Sequence, residues 1–149
     1  MIWKPNVTVA SIVELDGKFL MVEEESPNGP VLNQPAGHLE LDESMEDAVV
    51  RETLEETGYS FTPEAIVGSY LWHNGGNETT YYRTTYVGTV CDVTIATELD
   101  EGIIRALWMT HTEILANKDR LRSPVILESL DDYLLGKNYP LDLIKSYIK

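Results

Sequence analysis

Three glutamates lie within five consecutive positions of the sequence: Glu52, Glu55 and Glu56. Residues three and four positions apart share one side of an α-helix, with Cβ atoms about 5–6 Å apart. Like charges at this spacing destabilise a helix by on the order of 0.2–0.5 kcal/mol per pair, and the negative end of the helix dipole adds to the effect. A bound cation would offset both, and carboxylate oxygens suit Mg²⁺ first, then Mn²⁺ and Ca²⁺. Taken alone, the three residues also fit a solvated helix surface.

The helix that carries these glutamates is predicted to run from Met45 to Thr57. Ser44 followed by Asp47 is a variant of the capping box, and Gly58 stands where a glycine commonly ends a helix. The predicted helix is roughly 20 Å long at 1.5 Å per residue. Its defined ends would hold the three carboxylates at fixed positions.

The glutamates belong to a longer pattern of fixed spacings, which comprises Gly37, Glu43, Arg51-Glu52, Glu55-Glu56, Gly58 and a final hydrophobic Tyr59. This pattern resembles the Nudix box, G-x5-E-x7-R-E-U-x-E-E-x-G-U, in which U is a bulky hydrophobic residue, over residues 37–59. All seven fixed positions match, and at background frequencies of roughly 6–7% each the chance of this in one chain is about one in a million. Thr53 departs from the pattern, because the first U is usually aliphatic. This departure concerns the packing of the helix more than its chemistry.

The resemblance extends to segments outside the box. NQPAGHLE at residues 33–40, LRSP at 121–124 and YPL at 139–141 are similar to the NudJ-type phosphatases of the Nudix superfamily. Leu32 stands where that group often has Trp, a difference predicted to alter a stacking contact with substrate. The resemblance implies the Nudix fold, an α/β/α sandwich in which helices flank a mixed, curved β-sheet.

The resemblance also implies the chemistry, which is hydrolysis of a phosphoanhydride with a divalent metal ion. Carried over by position, Glu55 and Glu56 are expected metal ligands, and Glu52 is either a ligand or the base that orients water. The carbonyl oxygen of Gly37 is expected to complete the metal site. Mg²⁺ is the expected ion, with Mn²⁺ as the substitute.

Two residues of the box have a supporting role in this interpretation. Arg51 and Glu43 are expected to pair with each other and to orient the junction between the loop and the helix. Neither is expected to touch phosphorus. Their predicted role is therefore structural support of the site.

Residues outside the box are candidates for substrate contacts. Arg83 in a predicted strand and Arg122 before the last helix suit phosphate groups, because arginine forms charge-assisted hydrogen bonds to phosphate oxygens. Surface ion pairs are the alternative for both arginines. Asp100, with Glu98 and Glu101 beside it, is the candidate for an additional metal or water contact, and an exposed acidic turn is its alternative.

Aromatic residues are candidates for contacts to a base or another heterocycle. Trp72, Tyr81 and Tyr82 have rings that could stack on such a group, although aromatic residues in strands commonly belong to the core. His38, next to Gly37, is placed to reach a phosphate. The sequence leaves both interpretations of the aromatic residues open.

The function predicted from the resemblance is Mg²⁺-dependent phosphatase activity on nucleoside triphosphates and diphosphates, extending to pyrophosphate esters of the thiamine pathway, with release of orthophosphate. A pyrophosphohydrolase for ADP-ribose, other nucleotide conjugates or oxidised nucleotides is the alternative enzyme. A nucleotide-sensing module without catalysis is the alternative from another class, and the intact glutamates of the box argue against it.

The elements that must position these residues are predicted from periodicity and turn signals to give an α/β or α+β fold. The Asp16-Gly17 pair predicts a hairpin between two apolar runs. The predicted strands and helices are Val7–Leu15, Lys18–Glu24, Val31–Gln34, Ala65–Trp72, Tyr81–Val90, Arg105–Met109, a turn at Thr112–Ala116, and a helix at Pro124–Leu135 with Ser123 as cap and Gly136 as its end.

Length and charge set the limits of this interpretation. The chain of 149 residues suits one domain, residues 1–149. Its net charge of −14 argues against a nucleic acid polymer as partner. No segment suits a signal peptide or a membrane span, so we expect a cytoplasmic monomer or homodimer that acts on a small-molecule phosphate. The single cysteine, Cys91, is predicted to be buried.

Overall fold

The computed structural model describes residues 1–92 and 98–148. The loop predicted to carry acidic residues starts near Thr97, which lies outside the described residues, whereas Asp100 lies within them. The elements are β1 (Asn6–Ile12), β2 (Glu14–Leu15), β3 (Lys18–Glu24), β4 (Val31–Asn33), β5 (Ala36–His38), α1 (Met45–Thr57), β6 (Tyr59–Asn74), β7 (Thr79–Asp92), β8 (Ile103–Thr110), α2 (His111–Ala116) and α3 (Val125–Leu134), with 3₁₀ turns at Lys118–Arg120 and Leu141–Leu143.

The strands form two sheets. The first has the order β5-β1-β7-β6, in which β1 runs antiparallel to β5 and parallel to β7. The second has the order β2-β3-β4, and β8 pairs with β3 as well. Parallel and antiparallel pairs therefore occur together, and helices flank the sheets. The predicted mixed α+β architecture is confirmed.

Two clusters of buried side chains lie on opposite faces of the strands. Leu20 belongs to the cluster beneath α1, whereas its neighbour Met21 belongs to the cluster beneath α3. Successive side chains of a strand point to opposite faces, so one strand serves both clusters. Leu32 is 1% exposed and lies in the cluster beneath α3. Leu32 therefore belongs to the core, and the predicted change in a stacking contact at this position stays a prediction.

The predicted hairpin at Asp16-Gly17 is present between β2 and β3. Asp16 has φ 52° and Gly17 has φ 76°. Positive φ at both central residues matches the right-handed twist of the flanking strands and favours the Asp-Gly pair. This turn sets the register of β3, which ends at Glu24.

Helix α1 begins and ends where the sequence predicted. The Ser44 side chain accepts a hydrogen bond from the Asp47 backbone N–H at 3.1 Å, and Gly58 adopts φ 78°. Ala48 and Val49 are fully buried on the face that packs against the sheet. The capped ends and the buried face fix α1 on the sheet, and the glutamates follow on its other side.

Thr53, the residue that departs from the box, is fully buried between α1 and β1. Its hydroxyl donates to the Val49 carbonyl at 2.7 Å and lies 2.9 Å from the hydroxyl of Ser11, which is also fully buried. The two hydroxyl groups satisfy each other where an aliphatic contact is usual. The helix is thus joined to the sheet by a polar contact within the core.

Several predictions about individual elements are wrong. Cys91 is exposed rather than buried, because it lies near the end of β7 opposite Ser60. Ser123 does not cap α3, since Pro124 occupies the N-cap position without a side-chain hydrogen bond. Strand β5 is not among the predicted elements, because the segment from Ser26 to Gly37 contains three prolines and two glycines, which indicate a loop. Strand β6 is longer than predicted, and it accommodates Pro63 at a register shift. Within the described residues, no helix is long and apolar enough to cross a membrane.

Candidate active site

A cluster of three carboxylates lies beside the C-terminal half of α1. Oxygen atoms of Glu52, Glu55 and Asp100 all lie within 4.8 Å of one another. The backbone N–H of Asp100 donates to the Glu55 carbonyl at 2.9 Å, which holds the loop against the helix. Burial raises the pKa of Glu52, and burial together with the charge of Asp100 raises the pKa of Glu55. The cluster concentrates negative charge that a cation would stabilise.

Arg51 connects this cluster to the loop before the helix. Its Nε and Nη2 donate to the two oxygens of Glu43 at 2.6 and 3.0 Å, and Nη2 donates to the His38 carbonyl at 3.0 Å. Its Nη1 donates to Glu52 at 2.7 Å and to Glu55 at 3.1 Å. The Arg51 hydrogen bonds hold the pKa of Glu43 below its usual range. This two-point ion pair orients the arginine toward the cluster.

Gly37 lies directly against Glu52. A Cβ atom built on Gly37 would be 2.1 Å from Cδ of Glu52, far inside any normal contact distance. The absence of a side chain therefore lets β5 pass over the carboxylate. Gly37 borders the cluster as the box pattern implied, and the predicted role of its carbonyl as a ligand stays a prediction.

Glu56 lies next to β5 and is not one of the three residues of this cluster. It is 8% exposed, and its Oε1 accepts a hydrogen bond from the Ala36 backbone N–H at 2.9 Å. Burial raises its pKa to about 8, against the lowering effect of the Ala36 hydrogen bond. The structure thus brings Glu52 and Glu55 together with Asp100, and it places Glu56 under β5. The spacing of the three glutamates predicts that they lie on one side of the helix. It does not predict that Glu56 separates from the other two, because this separation depends on how β5 crosses the helix.

The carboxylate cluster fits a divalent cation. The hydrogen bonds to Arg51 engage one oxygen each of Glu52 and Glu55. The second oxygens receive no hydrogen bond from the described residues, so carboxylate oxygens are free for an ion. Hard cations such as Mg²⁺ prefer oxygen ligands of this kind. Nearby, the Arg51 guanidinium keeps part of the negative charge balanced.

A pocket of about 400 Å³ opens beside the cluster, with Gly37 in its wall. Trp72 and Tyr81 lie opposite each other on β6 and β7, and their rings stack with centroids 5.7 Å apart and planes 21° apart. Both line the pocket, as does His38. Tyr82 is on the other face of the strand and is 44% exposed. The structure therefore places two of the three aromatic candidates at the pocket.

Arg83 lies in the wall of the same pocket and is only 9% exposed. Its Nη2 donates to Gln34 at 2.8 Å and to Asn33 at 3.3 Å. Burial lowers the pKa of Arg83 to about 10, so the guanidinium still carries its charge at neutral pH. The alternative of a surface ion pair is wrong for Arg83, because the side chain is buried next to the pocket.

Arg122 also lines the pocket, but from the segment before α3. Its backbone N–H donates to the Leu32 carbonyl at 2.9 Å, and its Nη2 lies 3.1 Å from Oε2 of Glu24. The side chain is 44% exposed, so Arg122 forms an ion pair at the pocket rim. Glu24 and Asn33 also line the pocket, and no role was predicted for either, because their positions follow from the pairing of β3 with β4.

Comparison with known proteins identifies the family. Residues 3–130 match the family model described as NUDIX domain. The chain belongs to the Nudix family. It is 37% identical over 145 residues to Phosphatase NudJ of Escherichia coli (strain K12), which covers 97% of this chain and 94% of that protein. Because the chain belongs to this family, it is an enzyme of the Nudix hydrolase class, whose members hydrolyse phosphoanhydrides.

Solved structures agree with this assignment. A NUDIX hydrolase from Nitrosomonas europaea superposes with a TM-score of 0.94 at 48% identity, covering 97% of this chain and 98% of that one. The MutT protein from Methanosarcina mazei Go1 gives a TM-score of 0.72 at 22% identity, covering 92% of this chain and 99% of that one. The second likeness concerns the fold alone. The first extends across nearly all of the chain.

Proposed function

We propose that this protein catalyses the Mg²⁺-dependent hydrolysis of nucleoside triphosphates and diphosphates, and of thiamine-pathway pyrophosphate esters, with release of orthophosphate. The observation that carries the proposal is the carboxylate cluster of Glu52, Glu55 and Asp100 beside a pocket of about 400 Å³. Gly37 touches both. The likeness to Phosphatase NudJ supports a phosphatase rather than another Nudix activity.

In this proposal, Glu52, Glu55 and Asp100 hold the cation, and Glu56 and the Gly37 carbonyl are further ligands. When bound, a divalent cation neutralises the diphosphate and makes its phosphorus more electrophilic. Arg51 would keep Glu52 and Glu55, the two carboxylates of the cluster that it contacts, in position for the ion. Mn²⁺ is expected to substitute for Mg²⁺, because both accept oxygen ligands.

The other residues act on the substrate or on the proton. Glu52, whose pKa is raised by burial, is the proposed alternative acceptor of the proton from the attacking water, in place of its role as a ligand. Arg83 and Arg122 donate to the phosphate oxygens from two sides of the pocket. Arg51 and Glu43 keep the glutamates of the helix aligned with the loop.

A substrate panel scored for two products tests the proposal. Nucleoside triphosphates, nucleoside diphosphates and ADP-ribose are incubated with Mg²⁺, and orthophosphate and nucleoside products are measured separately. Orthophosphate from a nucleoside diphosphate is the expected result. Cleavage of ADP-ribose to AMP without that orthophosphate would instead assign the nucleotide-conjugate activity. Nucleotide binding without any turnover would assign a sensing role.

The remaining features of the proposal concern the whole molecule. We propose that residues 1–149 form one catalytic domain, which acts as a monomer or homodimer in the cytoplasm. A small-molecule phosphate is the proposed partner, and the net charge of −14 disfavours a nucleic acid polymer. Size-exclusion chromatography with light scattering distinguishes the monomer from the dimer.

A further inference from the structure

Arg83 differs from the other arginines of the chain in having no carboxylate partner among the described residues. The others each pair with at least one glutamate: Arg51, Arg105, Arg120 and Arg122. The Nη2 of Arg83 instead donates to the neutral amide oxygens of Gln34 and Asn33. Buried charges in proteins are normally paired, because an unpaired charge is costly to remove from water. The charge of Arg83 is therefore available to an anionic group in the pocket.

Gln34 joins Arg83 to helix α3. Its side chain is 1% exposed, its Oε1 accepts from Nη2 of Arg83 at 2.8 Å, and its Nε2 lies 3.1 Å from the hydroxyl of Ser129. Ser129 is fully buried on α3, and its hydroxyl donates to the Ile126 carbonyl at 3.0 Å. Arginine can only donate, and the Ser129 hydrogen is already used. The amide of Gln34 therefore satisfies both neighbours in one orientation alone.

These contacts determine how the guanidinium is oriented. Nη2 has two hydrogens, and the contacts with Gln34 and Asn33 use both of them. Nη1 has no hydrogen-bond partner among the described residues, so this nitrogen is left for a phosphate oxygen. Arginine hydrogen bonds to phosphate depend on the direction of the planar guanidinium. An amide oxygen sets this direction without cancelling the positive charge, as a carboxylate would.

We propose that Gln34 is a positioning residue that directs Arg83 toward the phosphate groups of the substrate. The inference rests on the function proposed above, in which Arg83 contacts phosphate oxygens. Gln34 does not line the pocket itself, whereas Arg83 does. Gln34 therefore acts on substrate binding through Arg83, and Ser129 anchors Gln34 to α3.

Gln34→Met tests the inference, because methionine has a similar volume and forms neither hydrogen bond. The KM for ADP in Mg²⁺ should rise by about 10-fold or more, as for the loss of a hydrogen bond to a charged group. The kcat should stay within about threefold of wild type, because Arg83 binds the ground state and the transition state alike. A merely structural role would lower the fraction of folded enzyme, and hence kcat, at an unchanged KM.

A double-mutant cycle shows whether Gln34 acts through Arg83. Arg83→Met should raise KM by about 10- to 100-fold. Adding Gln34→Met to this variant should raise KM no further, because no guanidinium is left to direct. If the two substitutions instead multiply their effects on KM, Gln34 acts independently of Arg83 and the inference is overturned.

Thr84→Val is the matched control. Thr84 follows Arg83 on β7, is 1% exposed, and its hydroxyl lies 2.8 Å from that of Ser69. Its side chain is on the opposite face of the strand from Arg83. This variant also loses a hydrogen bond within the sheet, and it should keep the wild-type KM. A rise in KM equal to that of Gln34→Met would assign the effect to loosening of β7 and overturn the inference.

Ser129→Ala is a second, milder variant. It removes the acceptor that anchors Gln34, leaves Arg83 unchanged, and should raise KM by less than Gln34→Met does. Circular dichroism and urea unfolding show whether each variant folds. A wild-type KM in Gln34→Met, or in Ser129→Ala if Gln34→Met does not fold, overturns the inference.

A binding measurement separates this inference from the proposed function. If ADP is not hydrolysed in Mg²⁺, the proposed function is overturned, and calorimetric titration of ADP in Mg²⁺ then measures the phosphate contact without turnover. Binding that is about 10-fold weaker in Gln34→Met, and unchanged in Thr84→Val, supports the inference in that case. Equal affinities of wild type and Gln34→Met, or no binding by the wild type, overturn it.

Discussion

The buried carboxyl group of Glu56 makes the stability of the metal-free protein depend on pH. Its pKa is about 8 in the folded state, against an ordinary value of 4.5. The folded state therefore binds this proton more tightly than the unfolded state. The stabilisation is fully present below pH 4.5, falls as pH rises, and is lost above pH 8. Glu56→Gln keeps an acceptor for the Ala36 N–H and removes the ionisation.

The size of the effect follows from the pKa. Between pH 6 and pH 9 the folded carboxyl ionises, whereas the unfolded one is already ionised at pH 6. About two pKa units at 1.36 kcal/mol each give a loss of roughly 2–3 kcal/mol in the free energy of unfolding of the wild-type protein. This contribution should be absent in Glu56→Gln. The variant should therefore gain stability relative to wild type as pH rises.

Urea unfolding followed by tryptophan fluorescence, in EDTA at pH 6 and pH 9, measures this difference. Glu55→Gln is the control, because Glu55 lies one residue away with a side chain 39% exposed, and water screens its charge. Its stability relative to wild type should change much less between the two pH values. The reasoning about Glu56 is refuted if wild type and Glu56→Gln lose the same stability between pH 6 and pH 9.

Three other outcomes are expected. EDTA should abolish phosphate release and Mg²⁺ or Mn²⁺ should restore it; full activity in chelator would contradict the cation site. Gly37→Ala should lower kcat by about 100-fold or more, because the new Cβ displaces Glu52 by an ångström or more. The circular dichroism spectrum should stay unchanged. A near-native kcat would show that the backbone at residue 37 moves and Glu52 stays in place. Thr53→Val should destabilise the protein by about 1–3 kcal/mol, because it leaves the Ser11 hydroxyl unpaired. Adding Ser11→Ala to this variant should recover part of the lost stability, as measured by urea unfolding. If the two losses were additive, the two hydroxyls would act independently.

Local signals account for the parts of the fold that could be predicted. The bounds of α1 followed from Ser44 and Gly58, and the β2–β3 turn followed from Asp16-Gly17. Each signal acts within a few residues, so the sequence contains all of it. Strand β5 has no such signal, because its formation depends on pairing with β1, which lies some 28 residues earlier.

The candidate site divides in the same way. The spacing of the box placed Glu52 and Glu55 on one side of a helix, and the cluster agrees with that placement. The hydrogen bond between Glu56 and Ala36 forms because β5 crosses α1. The pattern of hydrophobic residues in the sequence does not predict this crossing. The pocket position of Glu24 likewise depends on strand pairing. Sequence patterns therefore predict which residues share an element, and tertiary packing decides which of them meet.

The buried contact between Thr53 and Ser11 also has a rotational consequence. Aliphatic side chains slide past one another, whereas a hydrogen bond has a preferred direction. Turning a helix by about 20° moves a side-chain tip, at a radius of about 5–6 Å from the axis, by about 2 Å. Functional groups must be held within about 0.5 Å. The hydrogen bond between the two hydroxyls thus limits the rotation of α1 about its axis, and this fixes the direction in which the adjacent Glu52 points.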